Sequence, residues 1–286
     1  MTTDNQKNKP RLGLISYINS LPIVLPILKG LVKVDAEIIF GEPTTLNELF
    51  AKCQLECGAM SAFAFLEQSN HLELIPAVSI SSQASVSSVL LFSKEPIESN
   101  IPLRISVPAG SATSINAMLL LLAAQTGIKR VTPQLTIDQK PILESDNFDA
   151  ALVIGDRALL VDEEWSKKYC RYDLGQWWFE TFNLPMVFGV FAFRTEWFNT
   201  KQLDKEVSLG QIGICLATAV ELGLNDCFEM VLDEAQDRTG LNGERLRQYF
   251  KRDLDFSWSI KHQASLDKYE QLCKENGIFD HKKVLA

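Results

Sequence analysis

Small polar residues in three clusters, together with one carboxylate, are the groups in this chain that could do chemistry. Ser16, Asn19 and Ser20 follow an apolar run that begins at Leu12, and Ser111, Thr113 and Ser114 follow another that spans Arg104 to Pro108. Ser79, Ser81, Ser82, Ser85, Ser87 and Ser88 form a third set, and Asp156 stands behind Gly155 at the end of the apolar run Ala150–Ile154. Hydroxyl and carboxamide groups at helix starts donate directional hydrogen bonds. The free N–H groups and the dipole at a helix N-terminus favour negative charge without a basic residue. Such donors suit a small carboxylate. They also have a plainer use, because Ser, Thr, Asn and Asp at helix starts act as caps. Asp156 reads equally as the cap of a turn over 157–161. Arg157 beside it reads as an exposed ion-pair partner, and Trp177 and Trp178 as packing aromatics.

Other chemistries find no footing. His71, His262 and His281 fall in connections or near the C-terminus, so none is a convincing base. The chain has no nucleophile elbow, phosphate loop, GxGxxG or metal-ligand spacing. Of six cysteines only Cys53 and Cys57 are close, and no His accompanies them, so reduced structural thiols are expected. No metal and no cofactor is expected.

The elements that must position these groups read as α/β. A strand at Leu12–Ser16 leads through Ser20, an N-cap candidate, into a helix with Pro22 in its first turn. A strand over Val34–Phe40, a capping box at Thr45-x-x-Glu48 before a helix to Cys53, and a strand over Gly58–Ala62 follow. This is β-α-β-α-β with short connections, the pattern of a parallel sheet covered by helices. The pattern recurs with a strand at Arg104–Pro108, a helix from Ala112 to about Gln125 with Gly127 past its end, and a strand at Val131–Leu135. A short helix near 141–144 and a strand at Ala150–Ile154 complete it. Two β-rich segments, Ser87–Ser93 and Val187–Arg194, join the halves. Helices are expected from a second capping box, Ser208-x-x-Gln211, and near 226–236, 242–251 and 263–276. Two crossings imply two lobes with a hinge and a ligand cleft, the architecture of type II periplasmic binding proteins. The expected division is residues 1–93 plus 190–286 for the first lobe and 94–189 for the second.

Composition narrows the partners. With 28 Lys+Arg against 36 Asp+Glu the net charge is −8, and no basic run stands out, which argues against nucleic acid. The polar N-terminus lacks an apolar signal core, and the apolar stretch Ile115–Ala124 is too short to span a bilayer. A cytoplasmic protein with a small-molecule substrate and no membrane partner is expected. Physical reasoning alone ends at a two-lobed binder of a small anionic ligand.

Several segments, taken together, resemble the chorismate dehydratases of the futalosine route to menaquinone. They are Ile15-Ser16-Tyr17-Ile18-Asn19-Ser20-Leu21-Pro22, Gly41-Glu42-Pro43-Thr44, Ser79-Ile80-Ser81-Ser82 and Ser87-Ser88-Val89-Leu90-Leu91-Phe92-Ser93. Ser111-Ala112-Thr113-Ser114, Leu152-Val153-Ile154-Gly155-Asp156 and Asp173-Leu174-Gly175-Gln176-Trp177 continue the series in the same order. The likeness spans residues 11–194. Ile18 and Ser20 are mild departures from the family's Leu and Thr. Ser61-Ala62-Phe63-Ala64-Phe65 lacks a hydroxyl and a carboxylate common there, and Phe182-Asn183 replaces a Thr-Gly. The resemblance implies that chorismate loses water without metal, nicotinamide or flavin. It implies that Asn19 orients the departing hydroxyl and that Asp156 is the general acid or base. Ser111, Thr113 and Ser114 would hold a carboxylate, with Ser16 and Ser88 adding donors from the other lobe. The substrate's own enolpyruvyl carboxylate is the rival proton acceptor. Alternatives are a non-catalytic cytoplasmic binder of a small carboxylate and the related 1,4-dihydroxy-6-naphthoate synthase, whose opening Pro-Asn-Asp-Thr-like turn is missing.

Overall fold

The computed structural model describes residues 9–98, 101–127, 131–138, 140–143, 146–197 and 205–279. Its strands in chain order are β1 (Arg11–Ile15), β2 (Glu37–Gly41), β3 (Cys57–Ser61), β4 (Leu72–Ser82), β5 (Val89–Ser93), β6 (Arg104–Pro108), β7 (Gln134–Asp138), β8 (Ala150–Ile154), β9 (Cys170–Asp173) and β10 (Met186–Arg194). The helices are α1 (Leu21–Leu28), α2 (Pro43–Ala51), α3 (Ala62–Glu67), α4 (Ala112–Thr126), α5 (Gly155–Trp165), α6 (Leu174–Phe182), α7 (Lys205–Leu224), α8 (Phe228–Thr239), α9 (Gly243–Gln248) and α10 (Ile260–Glu275).

The strands form two five-stranded sheets, ordered β2-β1-β3-β10-β4 and β7-β6-β8-β5-β9. Each follows one plan. The strand second from one edge (β1, β6) lies parallel to its two flanking partners. The next strand in line is antiparallel, β10 beside β3 and β5 beside β8. Parallel neighbours end on the same edge, so each sheet gathers several strand C-termini along one rim.

Two compact units result. The first is Met1–Ile80, Gly189–Lys251 and Phe256–Ser259; the second is Ser81–Phe188, Arg252–Asp255 and Ile260–Ala286. Within the first, β1 and β3 approach closely at Gly13 and Gly58, which are in register. A Cβ on Gly58 would sit 2.5 Å from the Gly13 carbonyl oxygen, and Gly58 holds φ +147°, a conformation suited to glycine. Gly223 in α7 lies against the backbone of Pro22 in α1 with no room for a Cβ. In the second unit, Leu90, Phe92, Ala151 and Val153 alternate onto one sheet face and pack on Ala158 and Trp165 of α5. The other face is covered as well, since β5 is buried along its whole length. Double coverage explains why these strands read as unbroken apolar runs. Trp178 of α6 is fully buried and its indole N–H donates to Ser265 Oγ at 3.0 Å.

The structure departs from the sequence expectations in several places. The expected boundary at residue 93 falls at residue 80, because β5 hydrogen-bonds β8 and β9 and so belongs wholly to the second sheet. The chain passes between the units within β4, a strand the serine-rich sequence concealed, and returns within β10, the second of the two expected crossing segments. Residues 252–255 and 260–286 also go with the second unit, since Ser265 and Tyr269 of α10 bond Trp178 and Thr113 there. Thr45 is inside the first turn of α2, whose N-cap is Glu42, and Ser208 is inside α7; neither caps a helix. Residues 141–143 are not helical, while Glu144 lies outside the described residues. The strand expected at Val131–Leu135 is displaced to Gln134–Asp138.

Candidate active site

In the first unit, β1 ends at Ile15 and the chain turns through Ser16 and Tyr17 into a 3-10 turn over Ile18–Ser20. Ser16 is exposed and Asn19 half-buried at the C-terminal rim of the sheet. Ser20 stands at the N-cap of α1, yet its side chain does not cap it. Its hydroxyl instead donates to Asn19 Oδ1 at 3.2 Å, which fixes the carboxamide. From α8, Arg238 donates to the Ser16 carbonyl at 2.8 Å and pins the turn from outside. On the neighbouring strand end, Ser61 Oγ accepts from Ala64 N at 3.2 Å and from Asn47 Nδ2 at 3.3 Å. Neither Arg238 nor Asn47 was among the residues singled out from sequence. Asn47 stands three residues past the Gly41–Thr44 motif, and that position is its local signal.

The second unit assembles a comparable rim. Val89 pairs with Ile154, and Gly155 N donates to the Ser88 carbonyl at 2.7 Å. Ser88 and Asp156 therefore flank one strand end, with Gly155 at φ +59° making the turn between β8 and α5. Asp156 is half-buried in the first turn of α5, whose N-cap is Ile154; the cap role considered for Asp156 is not the one it has. On parallel β6, the chain leaves Pro108 through Gly110 and reaches Ser111 at the N-cap of α4. The Ser111 side chain makes no cap hydrogen bond, so its hydroxyl is not consumed by the helix it begins. Thr113 and Ser114 are buried in the first turn, and Tyr269 Oη donates to the Thr113 carbonyl at 3.0 Å. A carboxylate at such an edge would meet hydroxyl donors and backbone N–H groups.

A Menaquinone biosynthesis family model matches residues 10–275. The chain belongs to this family. A chorismate dehydratase of Thermus thermophilus is 29% identical over 199 residues, covering 65% of this chain and 70% of that protein. Among solved structures, a protein of Archaeoglobus fulgidus superposes with TM-score 0.73 at 18% identity, covering 95% of this chain and 98% of its own. The periplasmic aliphatic sulphonate binding protein of Escherichia coli gives TM-score 0.64 at 14% identity, covering 97% and 95%. The fold is thus the two-lobed α/β fold of the periplasmic binding proteins.

Within that family fold the third polar cluster has a structural use. Ser79 N and Oγ donate to the carbonyls of Phe256 and Ser257, at 3.0 and 2.7 Å. Ser81 N and Oγ donate to the Asp255 carbonyl, at 3.0 and 2.8 Å, and Asp255 N returns a bond to Ser81 O. Ser79 and Ser81 thus bind the returning chain, while Ser82 Oγ donates to the Ala84 carbonyl at 3.0 Å. Of the residues expected to form a site, Ser16 and Asn19 lie at the end of β1 in the first unit; Ser88, expected on the first lobe, lies instead with Ser111, Thr113, Ser114 and Asp156 on one edge of the second, because β5 pairs with β8. Among the described residues, no group of three or more His, Cys, Asp and Glu could hold a metal ion. No helix among them is long and apolar enough to cross a membrane.

Proposed function

We propose that this protein is a chorismate dehydratase, a hydro-lyase that eliminates water from chorismate to give 3-[(1-carboxyvinyl)oxy]benzoate. The observation that carries the reading is the family match over residues 10–275, together with the relative of that activity in Thermus thermophilus. In the reaction the hydroxyl leaves C4, a proton leaves C3, and the ring becomes aromatic. The C3 proton is vinylogous to the ring carboxylate, so negative charge gathers there as the proton departs. Oriented hydroxyl and amide donors stabilise such charge, and loss of one costs on the order of 10²–10³ in rate. On this reading Ser111, Thr113 and Ser114 supply donors to a substrate carboxylate from the start of α4. Ser88 and Ser16 add others. Asn19, its carboxamide oxygen held by Ser20, orients the C4 hydroxyl. Asp156 carries the proton, from the strand end where a base with access to substrate belongs. The enzyme works in the cytoplasm on this reading.

The test is direct. Purified protein is mixed with chorismate, and products are separated and weighed by mass spectrometry, with proton spectra of the new species. A product lighter by one water and carrying aromatic protons is expected. Chorismate recovered intact, beside an active homologue as control, would sink the dehydratase reading; binding without turnover would then favour a receptor for small carboxylates.

A further inference from the structure

Asp173 lies at the end of β9, and its carboxylate gathers the loop that leads to Ser88. Its Oδ2 accepts from Ser85 Oγ at 2.7 Å and from Ser87 N at 2.7 Å, and its Oδ1 accepts from Val86 N at 3.0 Å. The same Oδ1 accepts from Gly175 N at 3.0 Å and Gln176 N at 3.1 Å, which caps α6. The residue is buried, and Gly175 packs against Ser82 and Ala84 so tightly that no Cβ fits. Ser87, the last residue before Ser88, holds φ +61°, in the left-handed region that non-glycine residues avoid. A buried carboxylate that satisfies consecutive N–H groups is what such a turn requires.

We propose that Asp173 is a positioning residue for Ser88, acting by locking the 85–87 turn in its left-handed conformation. Capping alone needs only the bonds to Gly175 and Gln176. The bonds to Ser85, Val86 and Ser87 are an addition, and they act on the backbone that sets where Ser88 emerges beside Gly155 and Asp156. The proposal rests on the dehydratase reading for its substrate, while its geometric part stands apart from that reading.

The experiment has two readouts on full-length protein. In the first, amide hydrogen exchange compares Asp173→Asn, and separately the milder Ser85→Ala, with wild type. Val86 and Ser87 should lose protection while Leu90–Phe92 of β5 keep theirs; unchanged protection at Val86 and Ser87 in a folded variant overturns the proposal. In the second, a cycle of Asp173→Asn and Ser88→Ala is measured with chorismate. Each single change should raise KM by about tenfold, the loss expected for a hydrogen bond to a charged group. Asp173→Asn should then cost less than about threefold in the Ser88→Ala background, because both act through one donor. Adding Ser87→Gly, which adopts positive φ freely, should restore most of the Asp173→Asn loss. Multiplicative losses across the cycle, or no rescue by Ser87→Gly, overturn the positioning role. Should Asp173→Asn fail to fold, the cycle is run with Ser85→Ala, with the same criteria. A wild-type protein inert towards chorismate would fail the dehydratase reading alone, and the exchange result would still decide the turn.

Discussion

Asn19 and Asp156 carry different risks when changed. On the proposed reading Asn19, its carboxamide oxygen engaged by Ser20, presents its amide to substrate, so Asn19→Ala removes an oriented donor. The expected outcome is a fall of ~10²-fold or more in kcat with the fold intact, checked by steady-state kinetics and circular dichroism. Asp156→Asn keeps shape and removes the capacity to take a proton. If Asp156 is the proton carrier, kcat falls by ~10²–10⁴; near-normal turnover would assign that step to the enolpyruvyl carboxylate of the substrate itself. At this scale the sequence was legible for the residues that sit in local motifs at strand ends. It was not legible for Arg238 and Asn47, which reach the rim through tertiary contacts. It misled for Ser79 and Ser81, whose hydroxyls look like ligand donors until their partners at 255–257 are seen.

Two elements support the first rim. Gly58→Ala forces a methyl into the Gly13 backbone and an L side chain into φ +147°. A loss of at least ~2 kcal/mol is expected, with Tm as the measure, because the neighbour is backbone that cannot swing aside. An unchanged Tm would mean the two strands can separate freely. The start of β1 is held by Glu56, buried, which takes bonds from Arg11 N, Nε and Nη2 at 2.8, 2.9 and 2.6 Å. Burial pushes the Glu56 carboxyl up, but the hydrogen bonds and charge of Arg11 outweigh it and leave the group below its ordinary value. A depressed carboxylate contributes stability that is full above its unfolded value, ~4.3, and fades as pH falls through the folded one. Glu56→Gln should therefore cost about 1–2 kcal/mol at pH 7, and the Tm gap from wild type should narrow as the pH is taken below ~4. A gap that stays constant down to pH 3 would refute this. Strand and helix order was readable from apolar runs and turn residues. The hidden element, β4, was missed because its last residues are serines, a composition that reads as loop until the pairing partner appears.

On the scale of the whole chain, the C-terminal helix is the test piece. Its Ser265 and Tyr269 bond Trp178 and Thr113, so a chain ended at residue 259 strips cover from the second unit. Broadened thermal unfolding and a weakened near-ultraviolet tryptophan signal are expected; an unaltered cooperative transition would contradict this. The repeated β-α-β rhythm and the two β-rich segments between the halves betrayed two units in the sequence. The return of 252–255 and 260–286 to the second unit could not be read, because nothing local in a helix names the sheet it will join.

That return has a consequence for how the protein is made. The hydrogen bond from Tyr269 to Thr113 spans 156 residues, and that from Ser79 to Ser257 spans 178. A ribosome emits Thr113 long before Tyr269 exists, and it emits the first unit's opening strands long before β10 can join them. The first unit cannot close before residues 189–259 are made, nor the second before α10. Long-range closure of this kind slows folding and leaves apolar strands waiting in the open.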